Sequence, residues 1–575
     1  MQHHANARAR RSGPLRASIL ACALAASLPL LADAQDSPQQ LPAPPVPDTL
    51  PKAPACDRGC PEDPNQATTP PPGMEAAFVL QRVEFRGATV FTPEQLATLA
   101  VDEVGREVGF ADLQRIAARV TGYYRRNGYT LAQAVLPVQE ITDGVVEISV
   151  LEGRIGKVSV EVDPATPVSE ERVRAMLGSL QEGQPLQGLR YERSMLLLSD
   201  MPGVRPQSIL ETGRQAGSND LVVQVAPADR IRFNLELDNH GTREVGRWRL
   251  GSTLRWASPL GIGDNFDLRV LASDEQLLHA EGTVFGRVSY EAPVGVHGTR
   301  VGAGASRVSY SLGGDFEILD AVGIARIYDV GVMHPVIRQR AHNLFLRGFV
   351  DRKELTDELR AVLFETDKRV EGVGMSWAWE RRDGLGGGGY WSSTGALYHG
   401  QLSLLDAGSR GLDDSPFGRD ASGSFNKLTA QVARLQRLGE RLSLFAALGG
   451  QAADRNLDSS EKLSLGGPRA VRAYPTSEVL VDEGSIGNFE LRWTLNDQLT
   501  VLAFYDIATG KFNHRPGAFD LDNERTLRGP GIGLSYAADN GFTASMSLAW
   551  RDTGAALSDG GDRNPRIFVH MMKSF

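Results

Sequence analysis

Alternation of apolar and polar residues dominates the C-terminal three-fifths of the sequence, from about residue 229 to residue 575. In the first segment the apolar residues share one parity and the polar residues take the other: Ile231, Phe233, Leu235 and Leu237 against Arg232, Asn234 and Glu236. The pattern recurs in segments such as Trp248–Trp256, Phe266–Val270, Phe489–Trp493 and Phe542–Trp550. A period of two is that of β-strands, whose successive side chains point to opposite faces. The alternation therefore predicts a large all-β region.

The position of the aromatic residues distinguishes between two kinds of all-β structure. In a water-soluble β-sandwich they would cluster mid-strand, in the core between the sheets. Here they lie at segment ends, as Trp248 and Trp256 do, which is typical of the aromatic girdles of membrane proteins. The other parity is rich in Arg, Asp and Glu, which suits a polar lumen, and segments of about nine or ten residues can cross a thin bilayer when tilted. The pattern therefore favours a transmembrane β-barrel of about 16 antiparallel strands.

Composition excludes some other classes. The formal net charge is -9, whereas a nucleic-acid-binding domain is usually basic. After the first thirty-odd residues no apolar run reaches about 18 residues, so we expect no transmembrane helix. The histidines are scattered without metal-ligand spacing, and no GxSxG elbow is present. The stretch Gly384–Gly389 matches GxGxxG but lacks a βαβ context, so we interpret it as a hairpin. We expect no catalytic residue, no metal, no cofactor and no nucleic-acid partner; the chain is not predicted to be an enzyme.

The N-terminus has the features of an export signal. Basic residues up to Arg16 precede an apolar run over residues 17–31, and Ala32-Asp33-Ala34 forms a small-x-small cleavage site. We expect residues 1–34 to be a signal peptide; a retained membrane anchor is the alternative, but the run is short. Residues 35–77 are proline-rich, which predicts an extended periplasmic linker. Within it, a Cys56–Cys60 disulfide is plausible in an oxidising compartment, and its pairing stays open.

Between the linker and the alternating region, one order of elements occurs twice. The first unit, residues 78–153, is predicted to hold strands, two helices and a hairpin: Phe78–Phe85, a helix starting at Thr92-Pro93, Phe110–Tyr124, Thr130–Val138 and Val145–Leu151. The second, residues 154–228, repeats the order: Val158–Val162, Glu170–Leu177, Tyr191–Met201, Ser208–Thr212 and Leu221–Val225. Two consecutive α+β units with one order are an internal repeat. Both resemble POTRA domains, the periplasmic modules that precede certain outer-membrane barrels.

A long connection, roughly residues 452–484, interrupts the alternating region. A loop of this length without periodicity is usually functional or disordered. Its centre is unusual for a disordered loop because apolar and aromatic residues flank Arg472. The stretch reads Leu465, Gly466, Gly467, Pro468, Arg469, Ala470, Val471, Arg472, Ala473, Tyr474 and Pro475. A buried arginine needs an anion. Asp506 is a candidate and shares parity with Phe504. Alternatively, Arg472 is a plain loop charge and Asp506 a lumen-lining one.

Gly466, Gly467, Val471, Arg472 and Tyr474 resemble the inward-folded loop motif of the two-partner secretion (TpsB) transporters of the ShlB/FhaC/HecB haemolysin secretion family. In that family the arginine pairs with the aspartate of a strand motif, which Phe504 and Asp506 match here. Two glycines of the family pattern are replaced, by Ala473 and Ala508, and Lys573 replaces an apolar residue near the terminal Phe575. Ala473 would restrict the loop tip if that position needed positive φ. Near the rim, Lys573 could snorkel.

The resemblance covers about residues 78–575 and implies a function. It implies a monomer in the Gram-negative outer membrane, in contact with its lipid, with POTRA domains in the periplasm. These would recognise an unfolded partner exoprotein of adhesin or haemolysin type, and the barrel would secrete it. The barrel assembly machinery would insert the chain. The alternative within the superfamily is an assembly factor that inserts other barrels. Family members often carry a plug helix, for which the proline-rich linker leaves little room.

Overall fold

The computed structural model describes residues 77–575 except 216, 280–281, 416–417, 518–519, 521 and 559–562. The predicted signal peptide, almost all of the predicted linker, the Cys56–Cys60 pair and any plug helix in that segment lie outside the described residues. Over the described ranges, none of the helices combines the length and the apolar character that crossing a membrane requires.

The first α/β unit packs two helices on a small sheet. Its elements are β1 (Phe78–Val79), β2 (Arg82–Arg86), α1 (Pro93–Ala97), β3 (Glu107–Val108), α2 (Phe110–Arg126), β4 (Gln133–Val135) and β5 (Val145–Leu151). The sheet order is β2–β5–β4, and β1 pairs with β3. Thr92 caps α1 in a capping box with Gln95, as its sequence predicts. The strand predicted over Thr130–Val138 is only three residues long, and the one predicted over Phe78–Phe85 is divided in two.

The second α/β unit repeats the plan. It comprises β6 (Arg154–Val162), α3 (Glu170–Met176), α4 (Gly188–Ser199), β7 (Val204–Thr212) and β8 (Ser218–Pro227), with sheet order β6–β8–β7. Its core is apolar and includes Val173, Leu198 and Leu221. Helix α4 begins three residues before the predicted Tyr191 and ends at Ser199. The sheet strands also extend beyond the predicted bounds, because pairing continues past the apolar residues that define the sequence pattern.

Glu152 joins the two units. Its carboxylate accepts hydrogen bonds from the backbone N–H of Thr89 (2.6 Å) and Val90 (2.8 Å) and from the Tyr124 hydroxyl (3.1 Å). Arg154, at the start of the second unit, donates from Nη2 at 2.7 Å. Burial raises the pKa of Glu152, but the hydrogen bonds from Thr89, Val90 and Tyr124 outweigh it and hold the pKa below its usual value. The joint is therefore held by a buried, charged group.

The rest of the chain forms a closed barrel of 16 antiparallel strands, β9–β19 and β22–β26. The first half is β9 (Ile231–Asp238), β10 (Arg249–Ala257), β11 (Asn265–Ser273), β12 (Gly282–Val294), β13 (Thr299–Ser311), β14 (Ala321–Arg338), β15 (His342–Leu359) and β16 (Phe364–Asp383). The second half is β17 (Gly389–Leu404), β18 (Gly423–Arg437), β19 (Leu442–Ala453), β22 (Glu483–Thr494), β23 (Leu499–Lys511), β24 (Glu524–Ala537), β25 (Phe542–Ala549) and β26 (Arg566–Ser574). Strand β26 pairs with β9 and closes the barrel, which confirms the predicted fold class and strand number.

Short elements lie in the connections. Helices α5 (Asp274–His279) and α6 (Ala407–Asp413) follow β11 and β17, and β20 (Leu463–Ser464) and β21 (Leu480–Val481) lie within the long connection after β19. Gly384–Gly389 forms a tight connection between β16 and β17, as interpreted from the sequence, and has no phosphate-binding context.

The two faces of the wall differ as the alternation predicts. Outward residues such as Val330, Val350 and Val373 expose about half of their surface, whereas inward neighbours such as Asp329 and Asp351 are buried in the lumen. Trp256 faces outward, but Trp248 lies one residue before its strand. The predicted strand length of about nine or ten residues is too short for β12–β19 and β22–β24, which span 12 to 20 residues, and β14–β17 are the longest at 16 to 20.

The long strands have a physical reason. Towards one end they surround a buried apolar cluster inside the barrel that includes Tyr310, Phe349, Tyr398 and Phe425. There the outward residues of β15 and β16 are largely polar or charged, and the inward residues mix apolar side chains with charged ones such as Asp351 and Lys353. The period of two continues past the membrane-crossing part, so strand bounds cannot be read from it.

The second α/β unit contacts one end of the barrel. Asp200, after α4, accepts two hydrogen bonds from Arg338 at the end of β14, at 2.7 and 2.6 Å. Arg193 donates to the Pro335 carbonyl at 2.8 Å. We call this end of the barrel proximal and the other end distal. Lys573 lies near the proximal rim, where Nζ reaches the Asn540 carbonyl at 2.5 Å, in keeping with a snorkelling side chain.

Candidate functional site

The connection between β19 and β22 starts at the distal end and folds into the lumen. Its ends pair through β20 and β21. Beyond this hairpin the chain buries Leu465, Val471 and Tyr474 almost completely. They pack with wall residues, including Phe504 of β23 and Leu527 of β24. The apolar composition that excludes a disordered loop is thus explained by burial against the inner wall.

Gly466 and Gly467 shape the turn at the tip. A Cβ on Gly466 would lie 2.5 Å from the Pro475 carbonyl oxygen, which is closer than atoms can approach. Gly467 has φ +115°, a conformation that side-chain-bearing residues rarely adopt. The turn brings Val471 back, so that its N–H donates to the Leu465 carbonyl at 3.1 Å. The two glycines therefore allow the chain to reverse directly before Arg472.

Arg472 and Asp506 form a bidentate ion pair. Nε and Nη2 of Arg472 donate to Oδ2 and Oδ1 of Asp506, each at 2.8 Å, and the backbone N–H of Arg472 donates to Oδ2 at 3.1 Å. The Asp506 side chain is 0% exposed and that of Arg472 is 11% exposed. Buried charges persist only when paired and hydrogen-bonded. The structure thus brings together the two residues that the sequence singled out.

Three residues of β22 complete the polar network. Nη1 of Arg472 donates to Oε1 of Glu490 at 2.8 Å, and Arg492 donates to the other oxygen of Glu490 at 2.8 Å. Asn488 donates both to Asp506 Oδ1 and to the Ala470 carbonyl at 2.8 Å. The sequence analysis missed Asn488, Glu490 and Arg492 as site residues. One sequence feature could have identified them: all three share the lumen-facing parity of β22, which pairs with β23.

Phe504 forms a flat surface under the arginine. Cζ of Arg472 lies 3.4 Å from the ring centroid, a stacked cation–π contact. Gly531 on β24 leaves room for the ring, because a Cβ there would lie 2.2 Å from a Phe504 ring carbon. The shared parity of Phe504 and Asp506 therefore has a structural consequence: one holds the face of the guanidinium and the other its edge.

The alanines that replace family glycines are accommodated. Ala473 is not among the residues with positive φ. The alanine therefore does not restrict the backbone of the loop tip. Its methyl group faces Gly529, where an added Cβ would lie 2.7 Å away. Ala508 is buried beside the loop. Small residues on the opposing strand β24 thus provide the space for the tip.

A second ionic cluster holds the base of the loop to a different part of the wall. Glu461 is fully buried and forms ion pairs with Lys353 of β15 and with Lys427 of β18. The Glu461–Lys427 distance is 2.7 Å. Asp458 accepts from Lys368 of β16 at 3.1 Å. These residues lie towards the distal end, whereas Asp506 is near the middle of β23. This cluster was not predictable from the sequence, because the partners lie far apart along the chain.

The returning arm of the loop makes a third set of contacts. Thr476 donates to the His240 carbonyl at 2.7 Å. Glu478 accepts from Arg525 of β24 at 2.9 Å and from the backbone N–H of Leu557 at 2.6 Å. The hydroxyl oxygen of Tyr474 lies 3.1 Å from Oγ1 of Thr553, within hydrogen-bond distance. The loop therefore crosses the lumen and is fixed on several sides.

A cavity of about 480 Å³ remains beside the loop tip. Its lining combines charged residues, including Glu236, Arg249, Arg269 and Arg469, with apolar ones such as Phe568. In the described ranges no three His, Cys, Asp or Glu side chains are grouped to hold a metal ion. The arrangement is that of a lumen narrowed by a pinned loop.

Comparisons with known proteins agree with this architecture. The model of the family "Haemolysin secretion/activation protein ShlB/FhaC/HecB" matches residues 217–536, and that of the ShlB-type POTRA domain matches residues 78–153. The heme/hemopexin transporter protein HuxB of Haemophilus influenzae (strain 86-028NP) is 27% identical over 488 residues, covering 83% of this chain and 84% of HuxB. The outer membrane transporter CdiB of Escherichia coli O6:K15:H31 is 24% identical over 506 residues, covering 84% and 82% of the two chains.

Solved structures show the same fold. CdiB from Escherichia coli superposes with a TM-score of 0.70 at 20% identity, covering 89% of this chain and 94% of that one. The family match spans more than half of the chain and includes both the wall strands and the loop that carry the Arg472–Asp506 pair. The chain therefore belongs to the haemolysin secretion/activation family ShlB/FhaC/HecB, whose members are outer-membrane transporters of the two-partner secretion type and not enzymes.

Proposed function

We propose that this protein secretes an unfolded partner exoprotein, of adhesin or haemolysin type, through its barrel after capture by the two α/β units, both acting as POTRA domains. The observation that carries the proposal is the pinned loop: a transporter for a long chain needs a lumen that is narrow at rest and yet lined by polar groups. The Arg472–Asp506 pair holds the loop in its working position.

Capture is proposed to occur by strand addition to a sheet edge. In the second α/β unit β7 lies at the edge of the sheet and pairs only with β8 among the described strands. Ile209 and Leu210 of β7 are exposed. An extended segment could gain backbone hydrogen bonds along this nine-residue strand and place alternate side chains against the exposed apolar residues.

Delivery follows from the position of the second unit. The Asp200–Arg338 and Arg193–Pro335 contacts hold it at the proximal rim. With the proximal end in the periplasm, a segment bound on the second unit would lie near the entrance of the lumen. Folding of the exoprotein outside the cell would make its return unfavourable. The protein acts as a monomer that the barrel assembly machinery inserts into the outer membrane.

The names of the relatives support transport as the function. HuxB is named a heme/hemopexin transporter and CdiB an outer membrane transporter. The alternative function is an assembly factor that inserts other barrels, since the superfamily includes BamA, whose structure from Haemophilus ducreyi superposes with a TM-score of 0.50 at 13% identity. The closer fit to CdiB favours secretion.

A secretion assay tests the proposal. The gene is deleted, and the culture medium is assayed for the product of a neighbouring gene that encodes a large, repeat-rich exoprotein. We expect the product to disappear from the medium and to return with the wild-type gene. The Arg472→Ala variant should insert into the membrane but secrete less. Normal secretion without the gene, together with depleted outer-membrane barrels, would instead support the assembly function.

A further inference from the structure

Three arginines face outward on neighbouring strands in the distal part of the barrel. They are Arg307 of β13, Arg326 of β14 and Arg369 of β16, which we call the arginine patch. The strand register places Arg307 directly opposite Arg326, and Glu354 of β15 opposite both Arg326 and Arg369. All three share the outward parity, so the patch lies on the outer surface of the wall and not in the lumen.

The patch carries charge that the fold does not neutralise. Like charges directly opposite on neighbouring strands are destabilising, and Arg307 and Arg326 have this arrangement. Glu354 is occupied, because it accepts from Arg352 at 3.0 and 2.6 Å. None of the three arginines makes a side-chain hydrogen bond or ion pair with another residue in the part of the chain that the structure describes. Nε of Arg369 is buried without a partner there.

On β15 and β16 the apolar outer surface ends at Val350 and Val373, next to the patch, whereas on β14 the outward residues on the distal side of Arg326 are again apolar, Ile324 and Val322. Along β14 the outward residues after Arg326 are Tyr328, Val330 and Val332, each about half exposed. On β15 the outward residue before Arg352 is Val350. An aromatic residue followed by aliphatic ones marks the step from headgroups to hydrocarbon. The guanidinium groups are thus at the height of lipid headgroups on the distal side.

We infer that the arginine patch binds the phosphate groups of a glycolipid in the outer leaflet. Guanidinium groups pair with phosphate through two parallel hydrogen bonds. Counting the neighbours Arg352 and Glu371, whose side chains lie 3.6 Å apart, and Asp367, which has the same parity on β16, the surface has four arginines and three acidic residues, an excess of one positive charge. A phosphorylated headgroup would match this excess and separate Arg307 from Arg326. The inference goes beyond secretion and uses the proposed orientation, with the distal end outside.

Binding to the full-length protein in detergent tests the inference. Native mass spectrometry would measure retention of bisphosphorylated lipid A and of the same glycolipid without phosphates. We expect the wild type to retain only the phosphorylated form. Arg307→Gln/Arg326→Gln/Arg369→Gln should bind it at least about tenfold more weakly, since several charged hydrogen bonds are removed. The corresponding triple lysine variant should retain most of the affinity, because it keeps the charges.

Arg381→Gln is the matched control. Arg381 is exposed and has the same parity on β16, but it lies at the proximal end, so its loss should not change binding. Heat-modifiable migration in gel electrophoresis shows that each variant is folded. Equal affinity of the wild type and the triple glutamine variant would overturn the inference. Equal retention of the glycolipid without phosphates, full displacement by inorganic phosphate, or binding of a protein instead of lipid would also overturn it. None of these results alters the secretion assay, so the two proposals fail separately.

Discussion

Replacing Asp506 by asparagine should release the loop tip while leaving the wall intact. The side chain keeps its shape, but one of its oxygens becomes an NH₂ group, which cannot accept a hydrogen bond from Arg472. In the wild type the carboxylate accepts three hydrogen bonds from Arg472 and one from Asn488. We expect the loop to leave its docked position more often, which should be seen as longer open events in planar-bilayer recordings and as reduced secretion.

The size of the effect follows from the contacts. A hydrogen bond to a charged group contributes about 1.5–3 kcal/mol. The substitution removes at least one of the two guanidinium bonds and weakens the other, but Glu490 continues to pair with Arg472 at 2.8 Å. We therefore expect a loss of about 2–4 kcal/mol of docking free energy. The ratio of docked to undocked loop should fall by about 30- to 900-fold.

Asp329→Asn is the matched control. Asp329 is also a buried lumenal aspartate, and it pairs with Arg287 at 2.8 Å and Arg347 at 3.0 Å, but all these partners lie in the wall. It changes the lumen charge by the same amount without touching the loop. If the Asp506 and Asp329 variants show the same conductance and the same secretion, the reasoning about the loop is refuted.

Three further predictions concern other contacts. Gly531→Val should displace the Phe504 ring, since an added Cβ would lie 2.2 Å from it, and should lower secretion; an unchanged level would contradict the packing argument. Glu461→Gln removes the charge that two buried lysines share, so single-channel recordings should show a wider resting pore, and unchanged conductance would count against a second anchor. The low pKa of Glu152 stabilises the first α/β unit above the unfolded-state pKa, and this contribution is lost as the pH falls through the lower folded-state pKa. Limited proteolysis of the whole protein should therefore show acid-dependent cleavage within residues 78–153 that Glu152→Gln shows already at pH 7.

The period of two in the C-terminal region predicted the β-strands, and the aromatic residues at segment ends together with the charged opposite parity predicted a membrane barrel instead of a sandwich. The strand number of about 16 followed from the length of the region. The period of two was insufficient for the bounds of β14–β17, because the alternation continues past the membrane-crossing part of these strands. Helix α2 was well predicted because its apolar face recurs at helical spacing. Strand β4 was overestimated because apolar residues near Tyr129 and Leu136 pack on the core without pairing.

The candidate site was predictable to a similar degree. Arg472 was recognisable because a charge among buried apolar residues needs a counterion, and Asp506 because of its strand motif. Glu490 and Asn488 were not recognisable, because only the pairing of β22 with β23 places them beside Arg472. Gly529 and Gly531 provide the space for Ala473 and Phe504, and only the structure shows which residues they face.

Protection of a cysteine at the loop tip is the most direct test of a loop pinned inside a closed barrel. Ala473 is 1% exposed and packs against the inner wall, so Ala473→Cys, with Cys56 and Cys60 replaced by serine, should react slowly with a thiol reagent in intact cells. Leu363→Cys, in the exposed connection between β15 and β16, should react rapidly, and adding Asp506→Asn to Ala473→Cys should accelerate its reaction. Slow reaction of the Ala473 variant and rapid reaction of the other two is the predicted result. Equal reaction rates of the Ala473 and Leu363 variants would contradict the position of the loop on which the account depends.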